Sequence, residues 1–136
     1  FELREALEPL AAKLAAMHRP ELGLAEISGL FDNQPQLENS TPEQLIALGQ
    51  TLHDTIVRWS GNRLLGDLYS TVRKRTRLVR SMTRARKDIE LNSLREHRSI
   101  LEAVASKDEE AAYKRMLQHL QRSNVDAMQI ILSRGL

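Results

Sequence analysis

Apolar residues recur along this chain at three- and four-residue intervals almost from end to end, which is the spacing of amphipathic helices. The clearest run is Leu45, Leu48, Leu52, Ile56 and Trp59. It marks one face of a helix that opens at Thr41-Pro42-Glu43-Gln44 and stops at Ser60-Gly61-Asn62. Thr at the N-cap, Pro at the first helical position and Gln three residues on make a strong start signal. Ahead of it, a helix is expected from about Glu2 to Met17, its stripe being Leu3, Leu7, Leu10, Leu14 and Met17 widened by Ala6 and Ala11. Pro9 lies inside that helix and predicts a kink rather than a break, because the periodicity continues through it. Arg19-Pro20 ends the helix. A second helix is expected from about Glu21 to Phe31, with Leu24, Ile27, Leu30 and Phe31 inward, and the polar stretch Asp32 to Ser40 reads as a loop.

After the break, a helix restarts at Arg63 and runs to Arg80 or beyond, with Leu65, Leu68, Val72, Thr76 and Val79 in register. Another follows from about Ile89 to Ala105, with Leu91, Leu94, Leu101 and Val104 inward. Ser106 or Asp108 caps a last helix that runs to about Ser133, carrying Ala112, Met116, Leu120, Ala127 and Ile131. No alternating strand pattern appears. The expected fold is all-α, an antiparallel helical bundle of about six or seven helices in one domain spanning residues 1–136.

Composition narrows the chemistry. With 41% hydrophobic and 28% charged residues the chain should fold rather than stay disordered. The net charge of +2 is too small to imply a polyanionic partner. The absence of Cys excludes disulfides, thiolate metal sites and Cys nucleophiles, and fits a reducing, cytoplasmic setting. No apolar run reaches the roughly 18 residues of a membrane span, and no signal peptide is seen. A chain that begins at Phe1 rather than Met reads as a fragment preceded by further sequence.

Three of the four histidines, His53, His97 and His119, fall on the inward faces of three different helices. Each alone could be a locally bonded core histidine. Together, in a core with little other polarity, they form a natural site for a divalent transition metal such as zinc or nickel. His18 reads as a helix-end residue near the C-terminal dipole. Arg4, Thr76, Thr83 and Ser93 are the other polar groups expected at or near the interior, and Arg4 there suits a carboxylate. The basic run Arg73, Lys74, Arg75, Arg77, Arg80, Arg84, Arg86, Lys87 could track phosphates but reads first as a solvated helix face, and no aromatic interrupts it. No nucleophile elbow, phosphate-binding Gly loop or His-Glu-x-x-His pair is present, so no catalytic residue is assigned and the chain is not read as an enzyme.

The sequence resembles the effector-binding C-terminal domain of FCD type found in the GntR family of bacterial transcription regulators. The resemblance rests on Leu3-Arg4-Glu5-Ala6-Leu7-Glu8-Pro9-Leu10-Ala11-Ala12, on Leu52-His53 followed by Ser60-Gly61-Asn62-Arg63-Leu64-Leu65, and on Glu96-His97-Arg98-Ser99-Ile100-Leu101-Glu102-Ala103. Lys107-Asp108-Glu109-Glu110-Ala111-Ala112 and Met116-Leu117-Gln118-His119-Leu120 complete it. It implies an all-α homodimeric domain behind an N-terminal winged-helix DNA-binding domain that this fragment lacks. It also implies a small carboxylic-acid effector that modulates the grip on operator DNA.

Many such domains hold a divalent metal with one Asp and three His. The histidines match His53, His97 and His119, and the family's effector-pairing Arg matches Arg4, with Thr83 and Ser93 expected to meet the effector's polar tail. One departure stands out: the family's Asp, four residues before the first His, is Gly49 here. Asp54 points to the other side of the helix. Gln50 could reach the site but is a poor ligand for zinc. Three histidines with open positions could still bind an ion that the effector completes; otherwise the imidazoles meet the ligand directly. Two readings from other classes stay open at this level, a metal-dependent helical hydrolase or lyase and a purely structural dimerisation module.

Overall fold

The computed structural model describes residues 1–18, 21, 23–81 and 85–135. Among them are seven helices and no strand: α1 (Glu2–His18), α2 (Leu24–Asp32), α3 (Gln34–Glu38), α4 (Pro42–Trp59), α5 (Arg63–Ser81), α6 (Lys87–Ala105) and α7 (Glu109–Ser133). The all-α expectation holds. The stretch expected to be a loop contains the short α3, which starts where the Asn33 side chain accepts from the Gln36 backbone N–H. No helix of the described residues is long and apolar enough to cross a membrane.

Local chemistry sets the ends of the two best-defined helices. Thr41 Oγ1 accepts from the Gln44 N–H at 3.2 Å while Gln44 Oε1 accepts from the Thr41 N–H at 2.9 Å, the reciprocal cap expected at the start of α4. Asp108, not Ser106, caps α7, accepting from the Ala111 N–H at 3.1 Å. Between α4 and α5 the chain turns at Gly61, whose φ of +67° is open to glycine without strain. Asn62 then accepts from the Leu65 N–H at 3.0 Å and α5 begins.

α1 lies at the centre and packs against α7, α4, α6 and α5. Here the leucine stripe misled. Leu3, Leu10 and Met17 are exposed, whereas Glu8, Pro9, Ala11, Ala12, Ala15 and Ala16 are buried. A helix surrounded by four others has no room for a wide leucine face. Small residues let the neighbours approach closely, and the exposed leucines fall on its solvent side. Pro9 sits inside one unbroken helix. Leu30 and Leu68 were also expected inward and are about half exposed, at 51% and 50%. Elsewhere the core follows the periodicity at Phe31, Leu52, Ile56, Leu94, Leu101, Val104, Met116 and Leu120, all buried, and Ile100, which was not expected inward, joins them. The α6–α7 pair is antiparallel, because Ser93 meets Arg122, Glu96 meets His119, and Ser99 meets Arg115. This packing puts the middles of α1, α4, α6 and α7 around one point.

Candidate metal centre

His53 on α4, His97 on α6 and His119 on α7 converge at that point, each about 95% buried. Their Nε2 atoms form a triangle with edges of 3.1 Å (His53–His97), 2.9 Å (His97–His119) and 3.3 Å (His53–His119). Three imidazole nitrogens about 2.0–2.1 Å from one ion stand about 2.9–3.4 Å apart in octahedral or tetrahedral geometry. The spacing of the donors therefore suits a divalent transition metal, and the trio is the group among the described residues that could hold one.

Behind the triangle lie carboxylates that sequence reasoning missed. Glu8 of α1 is fully buried and accepts from His53 Nδ1, and its other oxygen takes Arg4 Nε at 2.6 Å. Glu96 of α6 accepts from His119 Nδ1 at 2.9 Å and from Arg122 Nε at 2.7 Å. Arg122 also donates to Ser93 Oγ at 2.8 Å and pairs with Asp126. Two of the three histidines are thus each backed by a carboxylate and an arginine. The third is not: His97 Nδ1 is buried with no hydrogen-bond partner among the described residues. A signal for Glu8 existed, since it lies one turn beyond Arg4 and one turn before Ala12, on the face the alanines define.

The electrostatics follow from burial and these pairs. Burial alone would raise the Glu8 carboxyl, but the Arg4 guanidinium and His53 outweigh it and hold Glu8 down at about 2. For Glu96, too, the His119 and Arg122 hydrogen bonds overcome burial and lower the carboxyl. His119 is lowered to about 4, chiefly by burial, against the pull of Glu96. Burial, with the neighbouring imidazoles, puts His97 well below its ordinary range. Both rings are neutral at pH 7 and have a lone pair for an ion. Because the folded value of His119 lies below 6.5, the unfolded chain takes its proton first as pH falls. The corresponding stability is fully present above about pH 6.5 and drains away toward about pH 4, a loss of about 3 kcal/mol. Urea unfolding in a chelating buffer at pH 7.5 and 4.5 checks this, and equal stabilities at the two values would contradict it.

Gly49 is not an empty ligand position. A Cβ placed there would stand 2.6 Å from His97 Cε1 and 3.1 Å from its Nδ1. The His97 ring occupies the place where a side chain would start, so an Asp at this position would have to move the ring. Gln50 donates to Asp54 and to the Tyr69 hydroxyl, each at 3.0 Å, and does not join the trio. Asp54 faces α5, where it also pairs with Arg73, as its position on the helix implied. Gly49→Ala is expected to weaken ion binding about tenfold by tilting His97. Its stability should change little, because the gain of about 1 kcal/mol in helix propensity offsets the crowding. Zinc titration and urea unfolding of that variant check the two halves separately.

The other residues expected at the site are distributed as follows. Arg4 is nearly buried, with its Nε given to Glu8. Ser93 is buried beneath Arg122. Thr83 lies outside the described residues, as does Arg84. Thr76 bonds its own helix at Val72 O. In the basic run Arg73 pairs with Asp54, Arg80 with Glu90 and Arg86 with Asp88. A 220 Å³ cleft between α6 and α7 is lined by Arg95, Glu96, Ser99, Arg115, Gln118 and His119, the one member of the trio that it touches.

Comparison with known proteins agrees with this architecture. The uncharacterized HTH-type transcriptional regulator YdhC of Bacillus subtilis (strain 168) is 31% identical over 121 residues, 88% of this chain and 54% of that protein. The chain thus spans about half the length of this curated relative. The solved metal-free FCD domain of TM0439, a proposed transcriptional regulator, is similar with a TM-score of 0.79 at 26% identity, covering 97% of this chain and 91% of that one. The family model for the FCD domain matches residues 1–122, and the chain belongs to the FCD domain family.

Proposed function

We propose that this chain is the ligand-sensing and dimerisation domain of a cytoplasmic, GntR-family transcription regulator. In this reading a small carboxylic acid binds at the three-His centre and alters DNA binding by a winged-helix domain elsewhere in the full protein. The observation that carries it is the convergence of three buried Nε2 atoms within 3.3 Å. His53, His97 and His119 hold the ion, zinc or nickel. When bound, it supplies a Lewis-acid centre for one carboxylate oxygen. The chain's own residues do the rest. The α6–α7 cleft, with Arg95 and Arg115 on its walls, gives an anion its approach. Arg4, its Nε holding Glu8, keeps its Nη groups for the acid, with Ser93 and Thr83 as further polar contacts. Binding draws on helices α1, α4, α6 and α7 together, and any bias on the DNA-binding domains equals the acid's affinity difference between the two arrangements.

The test is operator binding by the full-length regulator at fixed salt, against a panel of hydroxy- and dicarboxylic acids. At least one acid should shift the operator Kd by about fivefold or more, and the shift should vanish in His53→Ala/Arg4→Ala. A regulator that answers no acid, or a double variant that answers normally, overturns the reading.

The same proposal includes a homodimer. On α5, Leu64, Leu68 and Leu78 are 68%, 50% and 66% exposed and share one stripe with Thr71 and Arg75. Leu64 and Leu78 stand at equal distances either side of Thr71, as do Asp67 and Arg75. A two-fold antiparallel pair of α5 helices therefore sets leucine against leucine and Asp67 against Arg75 of the partner copy, a self-complementary face. Sedimentation should show a dimer that Leu64→Glu/Leu78→Glu converts to monomer; a dimer indifferent to that change places the contact elsewhere.

A further inference from the structure

The net charge of +2 hides an uneven distribution. On α5, Arg63, Gly66, Ser70, Arg73, Arg77 and Arg80 follow one another at three- and four-residue intervals and so share one face of the helix. Two cavities of 580 and 310 Å³ lie between this face and α4. Asp54 and Arg73 border both of them, so the two join into one open groove. Arg58 of α4 and Arg63 line its first half, and Arg77 and Arg80 line its second. Gly66 and Ser70, with little or no side chain, leave the space between the arginines open.

The arginines are unequally committed. Arg73 is fixed by both oxygens of Asp54, at 2.7 and 2.8 Å, and Arg80 pairs with Glu90 at 3.1 Å. Arg58, Arg63 and Arg77 are exposed and pair with no carboxylate among the described residues. Glu43 and Asp67 are the other acidic residues of the groove, and neither pairs with an arginine there. The arrangement selects among occupants. A site for a small anion gathers its polar groups at one point, whereas Arg63 and Arg80 stand about 25 Å apart along the helix. A DNA strand rises 3.4 Å per phosphate, so about seven phosphates pass over that length. A docked protein would seek an apolar anchor, and none of the exposed large apolar side chains lies in the groove.

We propose that the α4–α5 groove is a track for the sugar–phosphate backbone of duplex DNA. Arg58, Arg63 and Arg77 contact phosphates, and Arg73, held by Asp54, stands fixed between them. Such contacts carry no sequence information; they add affinity and orient the protein on the duplex. The proposal takes from the function proposed above only that DNA is the polyanion at hand. Leu64, Leu68 and Leu78 lie about 150° round α5 from the track, so the groove stays open in a dimer paired through those leucines.

The experiment is fluorescence anisotropy of a labelled duplex of about 20 base pairs and arbitrary sequence, titrated with the 136-residue protein in sodium chloride. Three phosphate contacts give a slope of about −2.7 in log affinity against log salt, a loss of about 40-fold between 50 and 200 mM. Arg63→Gln/Arg77→Gln should bring the slope to about −0.9 and weaken binding about tenfold or more at 50 mM. Both side chains are exposed, so the fold survives. Lys13→Gln/Lys114→Gln removes the same charge from exposed positions on α1 and α7 and should bind as the wild type does. No duplex binding at 50 mM, or equal losses in the two double variants, overturns the proposal. Sodium pyrophosphate that displaces the duplex far below the ionic strength at which sodium chloride does so makes the groove a small-anion site. Poly-glutamate bound as tightly as the duplex makes it a surface for acidic protein. Either result overturns the proposal. A full-length regulator that answers an acid while this domain ignores the duplex defeats the groove alone. Duplex binding with no response to any acid defeats the sensing function alone.

Discussion

Glu8→Ala will cost the fold about 3–5 kcal/mol, the range for removing one partner of a buried ion pair. The carboxylate is fully enclosed, receives Arg4 at 2.6 Å and also receives His53. Its removal strands the Arg4 guanidinium, whose side chain is only 11% exposed, in a core that offers water little access. Against a domain stability of about 5–15 kcal/mol the loss is large. Urea unfolding at pH 7.5 measures it. Arg4→Met/Glu8→Ala separates the cause, because removing both partners should cost less than the sum of the single changes, by the coupling energy of the pair. A loss below about 1 kcal/mol for Glu8→Ala would mean that the pair contributes nothing net.

The second large effect concerns the ion. The wild-type protein purified without chelators should carry about one equivalent of zinc, nickel or a similar ion, and His97→Ala should carry almost none. Two imidazoles on α4 and α7 cannot close a shell that already lacks an acidic ligand at Gly49. With free zinc at about 100 times the Kd, binding adds about 2.7 kcal/mol to the folded state. At this chain length that corresponds to roughly 10 °C in Tm. The zinc-dependent rise should be absent in the variant. Elemental mass spectrometry and paired melts with zinc or chelator check it. A wild-type protein without metal and without a zinc-dependent melt would sink the metal reading and leave the imidazoles to meet the acid themselves.

The pH dependence and the Glu8 effect are linked through the same interior. His119 loses its contribution between about pH 6.5 and 4, while Glu8, held at about 2, keeps its charge throughout that interval. Acid should therefore weaken the protein first at the histidines and only below about pH 4.5 at the Arg4–Glu8 pair. The two phases are separable because Glu8→Ala removes the second and not the first.

Six of the seven helices, the Thr41 cap and the family were legible in the chain itself, whereas α3 was read as a loop and the Asn62 cap was not foreseen. Thr41 with Gln44, Asn62 before α5 and Asp108 before α7 act within a few residues of one another, so their chemistry needs no distant partner. His53, His97 and His119 were marked by helical periodicity, which says which face a residue shares but not what stands opposite. For the same reason the stripe expected for α1 was only partly right: Ala11 is buried and Leu7 packs against the core, but the centre of the buried face lies elsewhere. Periodicity counted Leu3, Leu10 and Met17 as core, while crowding by four neighbouring helices selected the alanine face and put Glu8 in the centre.

Only the tertiary structure decided the rest. The approach of three Nε2 atoms to within 3.3 Å depends on the crossing of α4, α6 and α7. So do the pairing of Glu8 with His53 across 45 residues of sequence, and the seat of the His97 ring on the backbone of Gly49. Sequence determined the helices because helix formation is local. The centre was decided in three dimensions, because a hydrogen bond or an ion shell depends on distances between segments that the order of residues along the chain does not state.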